Sequence, residues 1–214
     1  GVYRNSKYAR TISEKYPQLT SKPELLVEAG NIFSTITEIA NNLEAVLIFM
    51  GTHGIKGSQK FFGSWALKVI ANTRTHFVVV QDKPHNKAYN DILFPVNFKK
   101  ENKESASWLH FLNKYFGANI EFLISKYKDP NFIKGVDSNI LFLDKFLSNR
   151  GASFKATKAK GEVDFPVEVI QYAVETKKDA LVVVVTKGIG MADYMLGAQE
   201  QYIIANEAKL PVIC

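Results

Sequence analysis

The sequence predicts an α/β protein: a mainly parallel sheet sandwiched by helices, with the pattern occurring twice along the chain. Two observations predict this. The first is a pair of uninterrupted apolar runs, Ala45–Met50 and Ala180–Val185, which read as strands covered on both faces, as in parallel sheets. The second is an internal repeat at one constant offset, the offset that carries Gly54 onto Gly188. It lays Ala45–Met50 over Asp179–Val184, Gly63 over Gly197, Ile70-Ala71-Asn72 over Ile204-Ala205-Asn206, and His76–Val80 over Leu210–Cys214. An offset that keeps loop length as well as residue type marks two copies of one fold.

The elements follow in order. In the first copy, Leu26-Val27 reads as a strand, Ile32–Ala40 as a helix and Ala45–Met50 as a strand. A glycine loop follows, then an amphipathic helix from Ser64 to Asn72 and a last strand at His76–Val80. In the second copy, Ile92–Val96, Ile120–Ile124, Phe154–Lys160, Ala180–Val185 and Leu210–Ile213 read as strands. Ser105–Phe116, Ile140–Leu147 and Pro166–Val174 read as helices between them. The alternation of strand and helix implies parallel strands with right-handed crossovers. The expected organisation is a first unit at 1–82, a linker at 83–89 containing Lys83-Pro84-His85-Asn86-Lys87, and a complete second unit at 90–214. The counterpart of Ile92 would fall before Gly1. The first copy is therefore expected to be incomplete at its N-terminus, with roughly 40 to 50 residues of strand, helix and strand preceding it in the native polypeptide. The apolar terminal strands Phe77–Val80 and Leu210–Ile213 would each leave an open ladder, and pairing them removes both edges, giving a pseudo-twofold arrangement.

Composition narrows the function classes. The chain has 214 residues, 46% of them hydrophobic, enough to bury a core. Its single cysteine, Cys214, excludes an internal disulfide framework and a cysteine-built zinc site, and suits a reducing, cytoplasmic setting. No apolar run approaches the roughly 20 residues of a membrane-spanning helix, so no membrane partner is expected. The net charge is +6, with residues 1–89 carrying 11 Lys/Arg against 6 Asp/Glu and residues 90–214 carrying 16 against 15. No basic stripe interleaved with aromatics accompanies it, which argues against a nucleic-acid partner.

The chemistry concentrates in one loop. Gly51-Thr52-His53-Gly54 directly follows a buried strand, and Gly63-Ser64 opens the next helix. Ligands of open parallel sheets bind beyond the carboxyl ends of strands. Glycines admit close backbone approach there, and the free N–H groups of a helix start favour an anion such as phosphate. Ser64 can cap the helix or bond a phosphate oxygen, and Lys56 and Lys60 supply counter-charge. On glycine spacing alone, a plain tight turn explains the loop as well. Neither G-x-x-x-x-G-K-[ST] nor G-x-G-x-x-G is present, which argues against P-loop NTPases and standard dinucleotide-binding domains. His53 is placed to tie down the loop by hydrogen bonds. His76, His85 and His110 have no metal-ligand spacing, and the carboxylates are dispersed. No constellation for catalysis stands out, and at most slow nucleotide hydrolysis is expected.

The stretch Met50-Gly51-Thr52-His53-Gly54, Gly63-Ser64, helix and His76–Val80 resembles the universal stress proteins. Their ATP-binding members carry G-x2-G-x9-G-[ST], matched here as Gly51-x2-Gly54-x8-Gly63-Ser64, one residue shorter. The resemblance implies a tandem member of that family. It implies a five-stranded parallel sandwich of the adenine nucleotide alpha hydrolase-like type, and dimerisation through terminal strands into a homodimer of tandem chains. It also implies a site for ATP or a related adenine nucleotide, with or without Mg, lined by Gly51, Thr52, Gly54, Gly63, Ser64 and Trp65. The aspartate that ATP-binding members carry on the first strand corresponds in the second copy to Asn97, a neutral amide. In that copy Val185 replaces the first glycine, Ala198 the serine, and Asp193 adds negative charge. The second loop is therefore expected to have lost triphosphate binding and to serve structure, with Gly188 and Gly197 as turn residues. The alternative is a stress-response scaffold that binds no nucleotide and acts through dimerisation and protein partners.

Overall fold

The structure, a computed structural model, describes residues 10–12, 14–18, 23–24, 26–51, 75–82, 88–184 and 198–214. In chain order these form α1 (Ile32–Asn42), β1 (Leu47–Gly51), β2 (His76–Val80), β3 (Asp91–Val96), a 3-10 turn (Lys100–Ser105), α2 (Ala106–Phe116) and β4 (Asn119–Ile124). They continue with α3 (Pro130–Ser148), β5 (Phe154–Lys158), α4 (Phe165–Glu175), β6 (Ala180–Val182), α5 (Ala198–Ile204) and β7 (Val212–Ile213). All seven strands join one sheet in the order β1-β2-β7-β6-β3-β4-β5. Every neighbouring pair is parallel except β2 and β7, which run antiparallel.

Local sequence chemistry sets several boundaries. Gly117, with φ of 65°, ends α2 by sending its N–H to Asn113 O, while Ala118 N–H reaches Leu112 O. A left-handed residue of this kind satisfies the last carbonyls of a helix. Asp129 caps α3 by accepting from Asn131 N–H at 2.7 Å, and Pro130 occupies its first turn. α3 therefore begins well ahead of the Ile140 start expected from apolar spacing.

The two faces of the sheet are covered by different helices. Phe77, Val79, Leu93, Leu123, Leu181 and Val212 pack against α4 (Val169, Ala173) and α5 (Ile203, Ile204), with Ile36 of α1 beside them. Val78, Ile92, Phe94, Phe122, Val182 and Ile213 pack against α2 (Trp108, Leu109, Leu112) and α3 (Leu143, Leu147). This is the helix-on-both-faces sandwich that continuous apolar strands require.

The turns behind α1 and α4 share a hydrogen-bond pattern, but not at the constant offset expected from the sequence. Behind α1, Leu43, Glu44 and Ala45 donate to Ile39, Asn41 and Ala40; behind α4, Thr176, Lys177 and Lys178 donate to Tyr172, Val174 and Ala173. Glu44 and Lys177 both take positive φ, 48° and 54°. Superposing these features sets Ala45 over Lys178, whereas the constant offset expected from sequence sets Ala45 over Asp179. The structural overlay, shorter by one position, puts Ile48 over Leu181 and Met50 over Val183, each pair on one face of the sheet. The sequence overlay instead sets Leu47, on the Trp108 side, over Leu181, on the opposite side. Between the last strands the spacing changes again. Ile48 pairs with Phe77 and Leu181 with Val212, so the second copy has two more positions between its paired strands than the first. A one-residue slip turns a side chain to the other face, and the sheet does not permit it.

The expected strand at Leu26-Val27 is absent: both residues are exposed and outside any strand. In the structural overlay they correspond to Ala159-Lys160, beyond the end of β5. Among the described residues β1 lies at the edge of the sheet, with Phe49 64% exposed.

The terminal strands pair within the chain, as expected. Val78 faces Ile213 and Val79 faces Val212, and Phe77 and Cys214 exchange both backbone bonds at 3.0 and 2.8 Å. The strand edges on which the terminal-strand expectation rested are consumed inside one polypeptide. Trp108 reinforces the join: its ring stacks on His76 at 4.4 Å and 8°, and on Phe111 at 4.8 Å.

Candidate functional site

Of the residues expected at the site, Gly51 lies in the described structure; Thr52, Gly54, Gly63, Ser64 and Trp65 lie outside the described residues. So do His53, Lys56, Lys60, the helix expected from Ser64 to Asn72, and Val185, Gly188, Asp193 and Gly197 of the second loop. Gly51 closes β1, where β1 and β2 run parallel, so the loop leaves the sheet at its carboxyl edge. Gly51 is not among the described glycines with positive φ, and a Cβ built on it would meet nothing within 4 Å. Neither a left-handed backbone nor a crowded neighbour among the described residues explains a glycine here.

At the carboxyl ends of β3 and β6 the chain forms a cleft of about 30 Å³. Its walls come from Asn97, Lys99, Glu101 and Asn102 after β3, from Phe165 and Pro166 at the start of α4, from Val183 and Val184 after β6, and from Gln199, Glu200 and Ile203 of α5. Asn97 follows directly on β3 at its carboxyl end, and its amide oxygen accepts Lys99 N–H at 2.9 Å. Asn102 Oδ1 accepts Asn97 N–H at 2.8 Å, and Asn139 donates to the carbonyls of Asn97 and Lys99. The amide thus serves its own turn, a local side-chain to backbone closure. The side chains that dominate the cleft are a pair the sequence did not single out. Lys99 Nζ meets Glu200 Oε1 at 2.5 Å, and Glu200 is 8% exposed. Nothing in the sequence spacing joins Lys99 to a residue 101 positions away.

A second buried charge lies on another part of the sheet. Glu121 of β4, 4% exposed, accepts from Lys178 Nζ at 2.6 Å, Thr157 Oγ1 at 2.8 Å and Tyr172 OH at 2.5 Å, and pairs with Lys155 at 3.0 Å. Burial alone pushes its carboxyl up. The hydrogen bonds from Lys178, Tyr172, Thr157 and Lys155 outweigh that and hold it down to about 2. All four partners come from the fold itself, so the cluster fastens β4, β5, α4 and the turn after α4 together. Burial pushes the Cys214 thiol up to about 12, so it stays protonated and unreactive near neutrality. Among the described residues no group of three or more His, Cys, Asp or Glu could hold a metal ion, and no helix is long and apolar enough to cross a membrane.

Fold and cleft together define the class: an α/β sandwich with a mostly parallel sheet and a cleft opening at the carboxyl ends of parallel strands. Residues 8–81 match the model of the universal stress protein family, the family that the glycine loop resembles. A universal stress protein from Archaeoglobus fulgidus DSM 4304 superposes with a TM-score of 0.70 at 14% identity, covering 99% of this chain and 76% of that one. A putative universal stress protein from Pseudomonas aeruginosa UCBPP-PA14 gives 0.63 at 12%, covering 97% and 77%. At these identities the likeness is one of fold. A universal stress protein in complex with cAMP superposes at a TM-score of only 0.46 over 59% of this chain and 95% of its own, at 15% identity, too loosely to carry its ligand across. A search of curated protein sequences gives no match.

Proposed function

We propose that this chain is a universal stress-type binding protein that responds to an adenine nucleotide, ATP or a close relative, taken up at the carboxyl edge of β1. In this reading residues 1–82 and 90–214 are two units joined by 83–89. Gly51, Thr52, Gly54, Gly63, Ser64 and Trp65 surround the ribose and phosphates, with or without Mg as companion ion. The second unit takes up no triphosphate and serves mainly as a structural partner, the chains associate as a homodimer, and the protein acts in the cytoplasm. The observation that carries the reading is Gly51: it ends a parallel strand at the carboxyl edge of the sheet, and no described residue stands where its side chain would be. A residue kept small without backbone or packing cause suits close approach by a ligand. Calorimetry of Mg-ATP with the chain tests it. Micromolar binding abolished by Gly54→Val is the expected result, whereas no heat from the unaltered chain would favour a scaffold acting through dimerisation and protein partners.

A further inference from the structure

We propose that the outer edge of β5 takes up an extended, acidic peptide segment of another protein as an added strand. The edge lies at the end of the sheet opposite β1, and binding there does not rest on nucleotide uptake by the first unit. β5 is the last strand in the order and pairs with β4 alone. Ala159 N–H donates to Ile124 O at 2.8 Å. Backbone groups alternate in direction along a strand, so those of Lys155 and Thr157 also point to β4, while the N–H and C=O of Phe154, Ala156 and Lys158 point away from it. Among the described residues these outward groups have no hydrogen-bond partner, and Ala156 and Lys158 are exposed. Such a row of alternating donors and acceptors is a template for one more strand.

The side chains decide which strand fits. Residues 150–160 carry Arg150, Lys155, Lys158 and Lys160 and no carboxylate. Lys155 meets Glu121, but that carboxylate is shared with Lys178. Arg150, Lys158 and Lys160 have no carboxylate partner among the described residues. Glu162 and Asp164 follow in the turn before α4, and Glu168 is turned back onto the N–H groups of Lys160 and Gly161. Residues 88–184 are described without a gap, so no residue of β5 or of the elements beside it is missing from this balance. A second copy of the chain would set the same cations against themselves, and like charges facing each other across strands are unfavourable. Lysines on an edge deter neutral and basic strands as well. A strand bearing Asp or Glu gains both the backbone ladder and opposite-charge pairs. A nucleic-acid backbone meets the same cations, but its phosphates offer acceptors only and leave the outward carbonyls unpaired.

The test is NMR titration of the labelled full chain with the acetylated, amidated peptide TEVEVDT, reading amide hydrogen exchange along β5, with the peptide TKVKVKT and heparin as comparisons. TEVEVDT is expected to saturate and to slow exchange at Phe154, Ala156 and Lys158, leaving Lys155 and Thr157, already bonded to β4, as they were. Ala156→Pro removes one outward N–H and leaves the ladder to β4 in place, a change that edge strands tolerate, and should weaken binding at least tenfold. Lys158→Glu should weaken it through charge, and carries the comparison should Ala156→Pro not fold. The proposal is overturned by absence of saturation, by TKVKVKT binding as TEVEVDT does, by unchanged affinity in Lys158→Glu, or by heparin producing the same alternating protection. Protection of the same amides that rises with chain concentration in the absence of peptide would overturn it in favour of a second copy.

Discussion

Val78 and Ile213 face each other across the antiparallel join of β2 and β7, and they mark the centre of the relation between the two halves of the sheet. On either side of this pair the contacts mirror each other: Val79 meets Val212 in the ladder, and Phe77 exchanges backbone bonds with Cys214. The pairing turns two strand edges into one continuous sheet. Deleting Leu210–Cys214 should therefore leave β2 and β6 unpaired on that side, and bare apolar residues such as Phe77 and Leu181. Aggregation in light scattering is expected; a soluble, monodisperse deletion variant would refute this role.

Trp108 holds the same join from the helical layer, stacked on His76 and 6% exposed. Trp108→Ala should cost about 3–5 kcal/mol in chemical denaturation, as for other large-to-small changes in a packed core. A loss below about 1 kcal/mol would show that the stack bears little of the interface.

Asn206 is 2% exposed and closes the turn between α5 and β7, donating to Ile203 O and Leu210 O and accepting Leu210 N–H at 2.8 Å. Asn206→Ala strands a buried backbone donor, so a loss of about 1–3 kcal/mol is expected. Urea titration monitored by circular dichroism measures it, and an unchanged midpoint would contradict it.

Glu121 gives a pH dependence with a definite sign. Its folded-state carboxyl is held at about 2, below its ordinary value of 4.5. The stabilisation is therefore present in full above pH 4.5 and is lost as pH falls towards 2. Glu121→Gln should flatten the stability profile in that window and lower stability at neutral pH, since Lys178 loses its buried partner. Parallel acid titrations of the two proteins would show it; coincident curves would not be compatible with the cluster.

Gly51→Val separates fold from ligand. Because a Cβ at Gly51 meets nothing within 4 Å among the described residues, the change should leave stability within about 1 kcal/mol. Binding of Mg-ATP should weaken at least tenfold if the proposed site is correct. Thermal melting paired with calorimetry reads both, and a variant that binds as the unaltered chain does would remove Gly51 from the site.

The sequence by itself determined the α/β alternation, the extent of most elements in the second half and the pairing of the last strands. These are written in local composition: apolar runs, glycine stops, and two short apolar strands that cannot remain open. The tertiary structure alone decided the register and the buried charge pairs. A strand covered on both faces is apolar at every position, so Ala45–Met50 slides over Asp179–Val184 by one position without a penalty that the sequence displays. In the folded sheet that slip would carry Leu47 from one layer of helices to the other. Lys99 and Glu200, or Glu121 with Lys178, are ordinary surface-type residues in sequence, 101 and 57 positions apart. Only chain folding brings each pair together, and only burial gives their contacts weight.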